Sequence, residues 1–556
     1  MKKYLALFLS LALIFSMSGC SVLSSKKDSK SNKRHTRTKD DDDDDDEDET
    51  EETTEETTEE TTEETTEETT EVTTAETIPE PQNLPDIEGD SDYIFFYIET
   101  YYDYLYDSTD DDKYYSAEVN LGSIVVDDER YPKLSDVMTD EYHDRLDYYG
   151  DEFMDYFDAA QEDVENGAEG SYYYTESTPV VYRADSKILS FDYVSSSYMG
   201  GAHPYTSFSG INYDPITGEF LTLDDIVTDI DGIHDLILDE LEDVYAQGAL
   251  FDDYEDTIDA YMSGEYIWNF YLNRDGIVFQ FNAYEIGPYA SGPIFVNIPY
   301  EGNEKYLNGK FWKDLPSEYV APFVNEYKDG TDIYDINYDY DNDGTENYIE
   351  VTANYEDYGY TSITISLDDK KFDLDYYGYT YSPTLVVNDG KAYIYVQGSS
   401  DNDYTVNYVY EIKADGEVEY IDQFGGRTVG FVNPDVFQIF TRTDVLGTQT
   451  MDAYYGVDRD GMPVLLDPYH FFFYSDYTTV TELNATMETG SGTEAVVIPS
   501  GTLLFLIGSD TETFVDMMDE NGVVYTIEYD GSSYPHLIDG KDEVTVFMEG
   551  DVVYAG

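Results

Sequence analysis

The densest chemistry in the chain lies in Asp339-Tyr340-Asp341-Asn342-Asp343-Gly344-Thr345-Glu346-Asn347-Tyr348-Ile349-Glu350. Oxygen-bearing side chains recur at Asp339, Asp341, Asp343, Thr345, Asn347 and Glu350, and Gly344 stands where a calcium-binding loop needs its sharp turn. Calcium takes roughly six to eight hard oxygens, and alternate residues of a tight loop can turn that many inward. The reading is a Ca2+ site. The run Ile349-Glu350-Val351-Thr352 that follows alternates like a strand, so Glu350 can equally lie on the strand while Asn347 ligates. The same letters also spell an acidic β-turn in an acidic chain.

Cys20 is the only cysteine. Lys2 and Lys3 precede an apolar run, Tyr4 to Ser16, and then Met17-Ser18-Gly19-Cys20. The run is too short for a bilayer core, which needs about 20 residues, but suits a signal peptide. Small residues before a cysteine at the end of such a run resemble a bacterial lipobox, with Met17 where Leu is usual. Residues 1–19 are therefore expected to be a lipoprotein signal peptide, and Cys20 the thiol that takes lipid. The expected location is the outer face of a bacterial membrane. With Cys20 acylated no disulfide can form, so stability must come from core burial or bound ions.

Catalytic signatures are sparse. Gly-x-Ser-x-Gly, His-Glu-x-x-His, a P-loop and a dinucleotide fingerprint do not occur. The six histidines stand at 35, 143, 203, 234, 470 and 536, without metal-binding spacing. His203 sits in Gly200-Gly201-Ala202-His203-Pro204. There it can orient a turn by hydrogen bonding, or act as acid or base if a partner comes near. Carboxylate pairs for glycoside cleavage stay open, because acids are everywhere and their separation is not written in the sequence.

The elements that must carry these residues follow from composition. Residues 20–88 run from a basic cluster (Lys26 to Lys39) into an acidic block and Glu-Glu-Thr-Thr repeats. No periodic apolar face exists there to offset ordering entropy, so the stretch is expected to be a disordered stalk. The chain has 122 acids against 28 Lys and Arg, a net charge of −94. Nucleic acid is an unsuitable partner, since phosphates need a basic patch. A cationic protein or a divalent cation is attracted. The 59 tyrosines suit half-buried strand faces, ring packed and hydroxyl wet.

Residues 90–300 read as strands around two helices. A helix is expected over 134–166, with Val137, Leu146, Met154 and Phe157 as its apolar positions. Asp214-Pro215-Ile216-Thr217-Gly218 is a turn, and Thr222 caps a helix start with Asp224 and Asp225 in its first turn. Ile233, Leu236, Ile237, Leu241, Val244 and Tyr245 form one helix face, and Asp275-Gly276 sits between two hairpin strands. Three blocks in this order carry a family resemblance: Gly200-Gly201-Ala202-His203-Pro204, the 214–218 turn into Leu221-Thr222-Leu223-Asp224-Asp225, and Tyr284-Glu285-Ile286-Gly287-Pro288-Tyr289-Ala290. They resemble the extracellular part of RsiV-type anti-sigma factors and the module preceding the catalytic domain of PdaC-type peptidoglycan deacetylases. The resemblance implies an α/β envelope module that in RsiV binds lysozyme, and marks Gly200, Gly201, His203, Tyr284, Glu285 and Tyr289 as its structural or binding residues. The departures count: a lipid anchor replaces the membrane-spanning and sigma-binding segments, and no deacetylase motifs follow residue 300.

Residues 301–330 read as a connector. From 331 to 480, Asp-Gly turns between alternating apolar runs describe a β-meander domain. Residues 488–556 resemble a small SH3-like barrel. The expected fold class is α+β: an N-terminal α/β RsiV-like module, an all-β meander domain and a small SH3-like β-barrel. The expected role is non-enzymatic binding of an envelope ligand, a lysozyme-like cationic protein or peptidoglycan, with the membrane reached through lipid. A wall-modifying enzyme using acidic residues, or an adhesive surface protein, are the alternatives.

Overall fold

Fifteen residues of alternating aromatic and polar character open the described chain as strand β1 (Phe96–Asp110). The computed structural model describes residues 91–554, apart from 111–112, 127–128, 169, 246–247, 329–330, 357, 401–403 and 490–491. The expected signal peptide, Cys20 and the stalk lie outside the described residues. β1 pairs antiparallel with β2 (Lys113–Val126). Helix α1 (Pro132–Glu165) then crosses over to β3 (Gly170–Asp185), which runs parallel to β2. β4 (Ile188–Tyr198) and β5 (Tyr205–Tyr213) complete an antiparallel continuation, giving sheet order β1-β2-β3-β4-β5.

Period-two burial explains how α1 docks. Ala117, Val119 and Leu121 point to one face of β2 and meet Phe153 of α1, while Tyr115 meets Ala160 and Val164. Met154, expected on the apolar face, is exposed; Phe153 and Ala160 do the packing. Pro132 starts the helix, where its missing N–H is not needed.

The next elements form a second layer: α2 (Leu223–Ile226), α3 (Ile230–Val244), α4 (Tyr254–Ser263) and the antiparallel sheet β6 (Phe270–Leu272), β7 (Gly276–Phe281), β8 (Ile294–Pro299). Thr222 and Asp225 form a capping box at α2, and Asp229 accepts from the Gly232 N–H at the start of α3. Ile233, Ile237 and Leu241 of α3 pack with Ile277, Phe279 and Ile294 in one core.

Residues 319–425 make a β-sandwich. β9 (Tyr319–Pro322) joins the second of its two sheets; β10 (Val324–Lys328), β11 (Thr331–Tyr338), β12 (Asn347–Glu356), β13 (Gly359–Leu367) and β14 (Lys370–Gly378) form the first as a meander. β15 (Ser382–Asn388), β16 (Lys391–Ser399), β17 (Thr405–Ile412) and β18 (Val418–Gly425) complete the second, in order β18-β17-β16-β15-β9. Asp389 and Gly390 both take positive φ between β15 and β16, the twist a two-residue hairpin wants. β16 is buried on both faces: Ala392, Ile394 and Val396 enter the sandwich core, and Tyr393 and Tyr395 enter a second cluster. Their hydroxyls donate to the carbonyls of Arg459 and Gly461 at 2.9 and 2.7 Å. Tyrosine is used here as a fully packed ring with a satisfied tip.

The fold class differs from the α+β expectation. Among the described residues the protein is mostly β, 51% strand against 16% helix, in several sheets with no closed barrel. The N-terminal part is dominated by antiparallel pairing, with β2 and β3 its parallel pair. The expected SH3-like barrel is replaced by an open arrangement. Strand His470–Thr478 pairs with Leu503–Ser509, so strands before and after residue 488 share one twelve-stranded sheet. Pairing of this kind is non-local, and the turn chemistry that marks each hairpin is silent about it. Among the described residues, no helix is long and apolar enough to cross a membrane.

Candidate functional site

The residues singled out in the sequence fall into two groups in the fold. The first is the loop joining β11 to β12. Asp339, Asp341 and Asp343 bring carboxylate oxygens within 4.8 Å of one another, Asp339 partly buried and the other two exposed. The loop is shaped by those same carboxylates. Asp339 accepts from the Asp343 N–H (3.1 Å) and the Gly344 N–H (2.9 Å), Asp341 from the Asp343 N–H, and Asp343 from the Thr345 N–H at 2.8 Å. Asn342 and Gly344 take positive φ, which Gly and Asn tolerate best.

Glu350 does not join the triad of carboxylates. Asn347 begins β12; its amide donates to Asp368 at 3.1 Å, while its Oδ1 is buried without a hydrogen-bond partner among the described residues. Glu350 lies along β12, opposite Asp335 and Ser366. Asp368 is the residue that sequence reading missed: it also receives the Tyr340 hydroxyl (3.1 Å) and the Tyr348 N–H (3.3 Å). It stands 18 or more positions from the loop's other residues and carried no local signal. Three carboxylates could supply hard oxygens to a divalent cation, with backbone carbonyls or water making up the roughly six to eight that calcium takes.

The second group is brought together from two loops. Gly200 (φ 83°) and Gly201 (φ 106°) turn the chain after β4, and a Cβ on Gly200 would press on the Tyr173 hydroxyl. The turn delivers His203, whose ring stacks on Tyr289 at 3.9 Å and 21°. His203 Nδ1 donates to the Pro204 carbonyl at 2.9 Å, and the Tyr289 hydroxyl donates to the same oxygen at 3.2 Å. Tyr284 stands 5.7 Å from Tyr289, so His203, Tyr289 and Tyr284 form an exposed aromatic row. Glu285 faces the other way: it accepts from the Tyr261 hydroxyl (3.2 Å) and the Asn282 N–H (3.0 Å). Burial and this glutamate push the Tyr261 phenol upward, out of the ordinary titration range. Ile286, fully buried, pins the loop into the core beneath. The arrangement gives His203 a positioning bond through Nδ1, and Glu285 braces a turn.

Asn282 and Asn269 were not anticipated. Asn282 Oδ1 accepts the Phe208 N–H (2.7 Å) and Asn269 Oδ1 the Gly210 N–H (2.7 Å), while both amides donate to the Phe208 carbonyl. Two side chains thereby serve the outer edge of β5 in place of a further strand. Asp192 and Gln280 lie in the same seam; the Gln280 amide and the Tyr182 hydroxyl both donate to Asp192 Oδ2. Burial pushes the Asp192 carboxyl up to about 7.

Comparison with curated proteins finds no match. Two solved structures are similar: a DUF3298 family member from Bacteroides fragilis NCTC 9343, 24% identical with TM-score 0.30, and a DUF3298 family protein from Pseudomonas aeruginosa PAO1, 17% identical with TM-score 0.28. Each alignment covers 39% of this chain and 96% of the other. At these TM-scores neither carries an argument. The family model described as "Protein of unknown function (DUF3298)" matches from Tyr245, at the end of α3, through β8 to Glu301, and so contains Tyr284, Glu285 and Tyr289. Residues 245–301 are a DUF3298 domain.

Proposed function

We propose that this protein is a non-enzymatic binding protein at the outer face of a bacterial membrane, moored by lipid on Cys20, that captures a cationic envelope ligand of the lysozyme type. Charge is the observation that supports it: 122 acids against 28 Lys and Arg. Such a field raises the encounter rate with a cationic protein and sets its salt dependence. The RsiV-type reading of residues 90–300 belongs to this proposal. Its support is the DUF3298 domain within that span, since DUF3298 is related to envelope modules of that kind. Calcium on the Asp339–Asp343 loop belongs to it as well, supported by the clustering of three carboxylates.

The test is titration of the full chain with lysozyme. A Cys20→Ala chain, which leaves the membrane fraction if the anchor is as proposed, is the soluble analyte. Micromolar or tighter binding is expected at about 0.05 M salt, weakening at least tenfold at about 0.5 M, where the Debye length falls to a few ångströms. No binding at low salt, or binding indifferent to salt, rejects charge-driven capture.

A further inference from the structure

We propose that the groove between the middle of α1 and the face of β3, β4 and β5 beside it is a binding site for a saccharide chain, on the strength of its aromatic rims, hydroxyl floor and fixed polar groups. The helix wall follows from the 3.6-residue period: Glu141, Asp144, Arg145, Tyr148 and Tyr149 fall on one stripe. The floor follows from strand register. Ser195 of β4 lies opposite Ser177 and Ser207, and Ser197 lies opposite Thr175 and Tyr205. Paired residues share a face, so short hydroxyl side chains from three strands are laid side by side.

Two hollows result, of about 520 and 180 Å³, both lined by Tyr148 and Tyr149 and both open to solvent. The larger carries Asp140, Glu141, Asp144 and Arg145; the smaller carries Thr175, Ser195, Ser197 and Ser207. Tyr148 and Tyr205 are 58% and 46% exposed at the edges, large rings held out in water. Arg145 is fixed in advance. It lies 3.5 Å over the Tyr193 ring and donates to Gly122 O and Ser177 Oγ, while its Nε is buried without a partner among the described residues.

The chemistry selects the ligand class. Aromatic rings meet the C–H faces of pyranose rings; carboxylates accept from sugar hydroxyls; serine and threonine hydroxyls both donate and accept. The carboxylates oppose phosphate or nucleic acid. A lipid tail would have to lie against Asp140, Glu141, Asp144 and Arg145 in the larger hollow. A basic peptide would suit the acidic end, but the uncharged hydroxyl floor gives it nothing to pair with, and a chain of sugars uses both ends. A groove of this size fits the volume range of small-ligand sites, roughly 300–1,000 Å³. This goes beyond charge-driven capture of a protein, and the two separate by salt: sugar binding is indifferent to it.

The experiment is calorimetric titration of the full chain with a β-1,4-linked N-acetylglucosamine hexamer and, separately, a β-1,4-linked glucose hexamer, at about 0.05 M and about 0.5 M salt. At least one hexamer is expected to bind in the micromolar range with little change between the two salts. Tyr148→Ala and Tyr205→Ala should each weaken binding roughly tenfold, with unfolding temperature unchanged because both rings are largely exposed. Ser207→Trp, which fills the smaller hollow, should abolish it. The proposal is overturned if neither hexamer binds, if these variants bind as the parent does, or if oligolysine alone binds and salt removes it.

Discussion

Where β5 faces β6, the seam is polar; between the two sheets of the 319–425 sandwich it is aliphatic. In the seam, Ser190, Asp192, Asn212 and Gln280 are all at most 2% exposed. They are tied to one another and to backbone: Ser190 Oγ donates to Asn212 Oδ1 at 2.7 Å, the Asn212 amide to Phe270 O at 2.9 Å, and the Leu272 N–H to Ser190 Oγ at 2.8 Å. In the sandwich, Ile349, Val351, Ile363 and Ile365 meet Leu385, Ile394 and Val396. The difference lies in what each interface must solve. β5 and β6 belong to different sheets and leave strand edges facing each other, so their N–H and C=O groups need side-chain partners. The sandwich pairs its backbone within each sheet and hides mostly apolar area, with the hydroxyls of its buried Tyr381 and Tyr410 donating to backbone carbonyls. One seam is specified by hydrogen-bond geometry, the other by volume.

The largest effects separate these two requirements. A Cβ on Gly210 would land on the Phe270 carbonyl, and backbone cannot yield as a side chain can. Gly210→Val is expected to cost at least about 4 kcal/mol or prevent folding of this part, since it overpacks and breaks the seam at once. Ile394→Ala removes volume from the sandwich and should cost about 2–5 kcal/mol, by the same amount at pH 5 and pH 8. Denaturant unfolding at both pH values reads the comparison. A well-tolerated Gly210→Val would show that the strands can part without loss, and that geometry does not rule the seam.

How far the sequence speaks follows the same division. The capping box at Thr222, the helix face of Ile233, Ile237 and Leu241, and the Asp389-Gly390 hairpin are local events, and residue types three or four apart encode them. The loop 200–204 and the loop 284–290 were marked separately; that His203 stacks on Tyr289 is a contact across 86 positions and had no sign in either. Asn269 and Asn282 carry no signal of this role in the sequence, because serving the edge of β5 depends on what faces them. The barrel expected after residue 488 fails for the same reason. Its hairpins are real, but Ser475 pairs with Leu506, and period-two patterning fits a strand equally well in either sheet.

Protonation sharpens the comparison at an intermediate scale. Asp192 is fully buried, receives two donors on Oδ2, and has none on Oδ1 among the described residues; Gln280 Oε1 also lacks a partner. A proton on Asp192 supplies a donor of the kind Gln280 lacks, and burial raises its pKa to about 7. For an acid whose folded pKa lies above its unfolded value near 3.9, the folded state holds more protons in between, so stability falls as pH rises. The contribution is intact below about pH 4 and is lost as pH climbs through 7. Asp192→Asn keeps a neutral, hydrogen-bonding side chain. It should therefore match the parent near pH 4 and exceed it near pH 8 by up to about 4 kcal/mol. Asp239→Asn, which removes an exposed charge from α3, controls for relief of general repulsion. If both variants shift the pH profile alike, the seam is not the source.

The smallest expected effect tests the acidic loop at one end of the sandwich. Calcium at the β11–β12 loop must compete with the backbone N–H groups that Asp339, Asp341 and Asp343 already accept. A site with so few ligands belongs at the weak end of calcium loops, with a dissociation constant of about 10⁻⁴–10⁻³ M. Millimolar calcium then stabilises by only about 1 kcal/mol, because linkage grows as the logarithm of the calcium concentration relative to the dissociation constant. The gain should be read as a rise in unfolding temperature that a chelator reverses, that magnesium does not reproduce, and that Asp341→Asn removes. Asp341 is the informative position because it is exposed and anchors a single loop N–H, whereas Asp339 holds two. If Asp341→Asn and the parent respond equally to calcium, the ion acts by screening the general acidity. The loop is then a turn that its own aspartates shape, and the sandwich is held by its core without the ion.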